Sequence, residues 1–134
     1  MINSSLLICA SGVLLDKNTN KISIFEIIDN LKTEGFPLLF PTFDIVFILQ
    51  RGKDDESKFE TNLTIRHNEN VLIETKAGVD FKNSYSTRVI IKINGLAVPS
   101  PGTITIETRL REKILDTYSF LTEKATGPKA TNIS

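Results

Sequence analysis

A chain of 134 residues with sixteen basic and sixteen acidic side chains carries no formal net charge, so it lacks the long-range field that draws a protein to phosphate backbones or an anionic membrane surface. At this length about two thirds of the unfolded surface is buried on folding, enough for one core without a metal or a disulfide. The lone cysteine, Cys9, excludes an intramolecular disulfide and a cysteine-based zinc cluster, and reads as a small buried hydrophobe suited to a reducing compartment.

Residues 6–15 form an apolar run. No Lys or Arg precedes it, Ile8 is bulky where a cleavage site wants a small side chain, and about ten residues are too few to cross a bilayer. The run is therefore expected to be a buried first strand and not a signal. D-K-N-T-N-K at 16–21 is a turn cluster, and I-S-I-F-E-I-I-D at 22–29 completes a first hairpin. Residues 30–42 carry Gly35, Pro37 and Pro41 without clean periodicity, which predicts a long connection between sheets. Residues 43–51 set Phe43, Ile45, Phe47 and Leu49 against Asp44, Val46, Ile48 and Gln50; both faces are apolar, as in a central strand. Residues 58–67 turn Phe59, Thr61, Leu63 and Ile65 to one face, and 71–76 return after Asn68-Glu69-Asn70 as a second hairpin.

Residues 85–94 alternate Tyr85, Thr87, Val89, Ile91 and Ile93 against Ser86, Arg88, Lys92 and Asn94, with Ile90 the one apolar intruder on the polar face. Pro99 and Pro101 fix φ and lack an N–H, so 95–102 is predicted to be one stiff loop. A strand at 103–111 follows, with Ile104, Ile106, Thr108 and Leu110 inward. A last strand at 113–121 has mixed sidedness, since Leu115 and Leu121 oppose Ile114, Tyr118 and Phe120, and a bulge is expected there. Residues 123–134 are small, polar and aperiodic, and their composition predicts a disordered tail behind a single domain at 1–122. Seven or eight short strands without an amphipathic helix predict an all-β, two-layer antiparallel β-sandwich with an immunoglobulin-like Greek-key outline.

With I-S-I-F-E-I-I-D at 22–29, Phe36-Pro37, and N-G-L-A-V-P-S-P-G at 94–102 ahead of an alternating strand, the chain resembles an uncharacterised bacterial family catalogued as domain of unknown function 6941. It departs from that family's pattern at Glu26, where a glycine is usual, and at Ile104, where an aromatic is common. The resemblance implies a small single-domain sandwich and leaves the activity open.

The search for chemistry is mostly negative. His67 ends a strand beside a turn with no nucleophile or acid at motif spacing, and is expected to be a surface or cap histidine. Asp54, Asp55 and Glu56 fall short of a calcium loop, which needs six or more oxygens at set offsets, and read as a solvated hairpin tip. No phosphate-cradling glycine pattern occurs, no tryptophan offers a sugar platform, and no cofactor is implied. The odd stretch is F-P-L-L-F-P at 36–41. As a surface loop it offers Phe36, Leu38, Leu39 and Phe40 to a partner; folded back, its phenylalanines plug one end of the sandwich. The strand at 113–121, with Ile114 and Tyr118, has few charged blockers and is read as a free sheet edge. The resulting expectation is a non-catalytic protein-interaction or assembly module in the cytoplasm, binding a protein partner or a second copy of itself and neither nucleic acid nor membrane. A small-ligand-binding sandwich is the alternative, and a hydrolytic enzyme stands behind that.

Overall fold

The computed structural model of the chain describes residues 1–125. Nine strands occupy them: β1 (Asn3–Asp16), β2 (Lys21–Ile27), β3 (Asn30–Thr33), β4 (Leu38–Gln50), β5 (Lys58–His67), β6 (Asn70–Asp80), β7 (Ser86–Val98), β8 (Gly102–Leu110) and β9 (Lys113–Lys124). They form a four-stranded sheet in the order β2-β1-β4-β7 and a five-stranded sheet in the order β3-β9-β8-β5-β6. The two-residue rhythm of the sequence turns one face of each sheet inward. Leu7, Cys9, Phe43, Ile45, Phe47 and Leu49 from the first sheet meet Leu63, Ile65, Val79, Ile104, Ile106 and Phe120 from the second in one buried cluster. Burying each large aliphatic or aromatic side chain contributes about 1.5–3 kcal/mol, so this interlayer core holds the fold.

Nine strands replace the expected seven or eight because residues 30–42 are not a bare connection. The chain leaves β2, steps to the other sheet through Ile28 and Asp29, and lays β3 parallel to β9, so the sandwich is not wholly antiparallel. Tyr118 fixes the step by donating its hydroxyl to the Ile28 carbonyl at 2.6 Å. β4 then begins at Leu38, where Leu38, Leu39 and Phe40 pair with Val98, Ala97 and Leu96 of β7. Pro41 stands across from Gly95, which has φ 103°, where the ladder passes from Phe40–Leu96 to Thr42–Asn94. A proline lacks the ladder N–H, and that backbone conformation favours glycine. The residues that promised a loop lie inside the β4–β7 ladder.

The same correction shortens the loop at 95–102, because β7 runs to Val98 and β8 starts at Gly102. His67 caps what remains, its Nε2–H donating to the Ser100 carbonyl at 2.9 Å. The expected bulge in the last strand is present: Thr108 pairs with Asp116 and Arg109 with Ile114, leaving Leu115 as the extra residue, packed on the core. β9 continues through Glu123 and Lys124, and the rest of the expected tail, 126–134, lies outside the described residues.

Candidate functional site

The residues proposed from sequence as a partner surface are divided between inside and outside. Phe36, Leu38 and Phe40 pack against the core, with the Phe40 ring stacked on Phe43 at a centroid distance of 4.9 Å. They plug the end of the sandwich. Leu39 alternates with them onto the outer face and is 76% exposed. Tyr118 also packs on the core, while Ile114 is 47% exposed at the start of β9. Leu39 and Ile114 do not meet: Leu39 pairs near the Val98 end of the ladder, whereas Lys113 reaches the Ile2 carbonyl beside the Asn3–Gln50 pair. With a strand rise near 3.3 Å that separation is roughly 35 Å. Nor is β9 the free edge it was read as. β3 pairs with its last four residues, and the beginning of β1 lies along its start, where Ser4 Oγ donates to Asp116 Oδ2 at 2.7 Å.

Among the described residues the four-stranded sheet has two edges, β2 and β7, and β2 belongs to an arm that sequence reasoning missed. Up to Ala10, β1 is paired with β4. A straight continuation would carry Leu15 away from Ile48, yet Leu15 and Asn20 line one groove with Ile48, Ser84, Ser86, Thr87, Arg88 and Ile90. Arg88 Nη2 donates to the Asn20 carbonyl at 2.7 Å. The distal β1–β2 hairpin therefore folds back over the outer face of the sheet. The reversal falls at Glu26, whose φ of 56° is the left-handed conformation that glycine adopts most readily. Ile90, the apolar residue on a polar strand face, lines this groove and stays 41% exposed.

Pairing of Val13 with Ile24 and Leu15 with Ile22 turns these four toward the sheet, where Val13, Ile22 and Ile24 are half-buried. The opposite face carries Leu14 at 61%, Phe25 at 50% and Ile27 at 53% exposure. The signal was available in the sequence: Ile22 and Ile24 alternate with Phe25 and Ile27, so both faces of β2 are apolar although it ends a sheet. Beneath the arm the groove has a volume of about 620 Å³.

The remaining polar groups serve the fold. Burial, reinforced by the Asp44 carboxylate, pushes the Cys9 thiol up to about 12, which leaves it protonated at neutral pH. Asp55 takes the N-terminal ammonium and the Gly52 N–H, and Glu56 pairs with Arg111, so the acidic tip divides its carboxylates among separate partners. Among the described residues no three His, Cys, Asp or Glu side chains gather to hold a metal, and no helix is long and apolar enough to cross a membrane. On the outer face of the second sheet, Glu107 is buried between Arg66 at 2.8 Å and Arg109 at 2.7 Å. The Arg66 hydrogen bond outweighs burial and, with Arg109, holds the carboxyl below the usual range.

These features define an all-β domain of two packed sheets whose edge hairpin is folded over one outer face. The chain belongs to the family of unknown function DUF6941, which matches residues 5–122. No curated protein matches it.

Proposed function

We propose that this protein is a non-catalytic interaction or assembly module that works through the β1–β2 arm. The observation that carries the reading is the exposure of Leu14, Phe25 and Ile27 on one face of a hairpin whose outer strand, β2, pairs with β1 alone among the described residues. An edge strand presents a row of unpaired main-chain donors and acceptors, and apolar side chains beside it add an area term to docking. β2 has only Lys21 and Glu26 as charged blockers. Leu39 and Ile114 are isolated exposed side chains and contribute no continuous surface.

Antiparallel pairing of β2 with β2 of a second copy, about an axis through Ile24, sets Ser23 against Phe25 and Ile22 against Glu26, with no like charges opposed. We also read the sandwich as immunoglobulin-like, because β4–β5, β6–β7 and β7–β8 cross between sheets while β5–β6 and β8–β9 are hairpins, a Greek-key order. The single buried thiol supports a reducing, cytoplasmic setting. Light scattering on the purified chain tests the assembly: a mass near twice the 15.0 kDa of one chain is expected, falling to one chain in Phe25→Asp. A wild-type mass of one chain up to roughly millimolar concentration, where weak association lies, contradicts it.

A further inference from the structure

We infer that the groove beneath the arm is a second docking site, which takes an extended protein segment and binds its carboxylate at Arg88. This rests on the reading of the protein as an interaction module and names the chemistry of a partner at a different strand. Its apolar lining comes from Ile48 and Ile90 of the sheet and Leu15 of the arm above, and the rim is hydroxyl-bearing, from Ser84, Ser86 and Thr87. Arg88 is the one charged side chain in the lining. It pairs with no carboxylate among the described residues, and its only hydrogen bond there is the one from Nη2 to the Asn20 carbonyl. A half-buried guanidinium above an apolar floor, with donors to spare, complements an anion whose flanking groups are apolar.

Two features select an extended segment over a small molecule. The volume of about 620 Å³ is of ligand size, but Leu15 and Ile90 stay exposed, whereas a small-molecule pocket covers most of its ligand. β7 is also the other edge of its sheet, so its main-chain groups on the side away from β4 have no strand partner among the described residues. Ser86, Arg88 and Ile90 recur at every second position on the outer face. A strand added alongside would place its own alternate side chains in the same row, with an acidic residue against Arg88 and an apolar one two positions away against Ile90.

The test is fluorescence anisotropy with a labelled seven-residue peptide, threonine and valine alternating about a central aspartate, against the same peptide with asparagine at the centre. The aspartate peptide is expected to bind at least about tenfold tighter, as charge-assisted hydrogen bonding to one guanidinium implies. Arg88→Gln should erase the difference and Arg88→Lys retain part of it. Amide shift changes in the ¹⁵N-labelled chain should fall at residues 84–90. Equal affinity for the two peptides, no binding tighter than about 1 mM, an unaltered preference in Arg88→Gln, or shift changes confined to β2 would each overturn the site. Octanoate binding in place of the peptide would overturn it in favour of a small-ligand pocket. The peptide titration reads β7 and light scattering on Phe25→Asp reads β2, so the two readings fail separately.

Discussion

Gly95 has φ 103° inside a twelve-pair β4–β7 ladder, and its absent Cβ would meet only the Phe40 carbonyl oxygen, at 4.0 Å. Space is therefore not the constraint; the backbone angle is. Gly95→Ala is expected to cost about 1–3 kcal/mol, the range for an L side chain held in a sparsely populated conformation, as measured by denaturant unfolding. Glu107 makes a prediction with a sign. Its carboxyl titrates lower folded than unfolded, so its contribution is complete above the unfolded pKa, near 4.3, and fades as pH falls through the folded value below it. Wild type should exceed Glu107→Gln by about 1.5–3 kcal/mol at pH 7, with the gap narrowing below about pH 4. An undiminished gap at pH 2 would show that packing, not charge, sets the difference. At this scale the sequence announced Glu107 as an outward strand residue, but Arg66 on the neighbouring β5 and Arg109 two positions along β8 pair with it where it is buried. The Arg109 contact is local, whereas the Arg66 contact, 41 positions away, is set by the β5–β8 register and by no local pattern.

The start of β4 illustrates how strand signals fail locally. Pro37 and Pro41 suppress the reading of a strand, yet Leu38, Leu39 and Phe40 pair in register with β7, and period two sorts them into inner and outer positions. Leu38→Ala is expected to cost about 1–3 kcal/mol, less than a fully buried leucine because Leu38 is half-buried. Leu39→Ala should stay within about 0.5 kcal/mol. Equal costs would mean that the two side chains share one environment. The alternations at 43–51, 58–67 and 103–111 were plain in the sequence because their inner faces lie wholly in one core. The arm was not, for its fold-back depends on one backbone angle at Glu26 and on a contact between Asn20 and Arg88, 68 positions apart.

For the molecule as a whole, the sequence specified an all-β sandwich and one core, and left open which surfaces stay free. Edges are a property of strand order, which the two-residue rhythm does not encode. The strand expected to be free, β9, is flanked by β8 and β3, while β2 and β7 close the ends of the four-stranded sheet. On the proposed reading, β2 pairs with β2 of a second copy of the chain. Hydrogen exchange of the β2 amides, read by NMR at about 10 µM and again at about 1 mM, tests this pairing, since a new strand ladder protects amides as no side-chain contact does. The prediction is that amides of β2 turned away from β1 gain protection with concentration while those of β7, at the other edge of the sheet, do not. Exchange on β2 that stays fast at both concentrations while the solution mass doubles would contradict it.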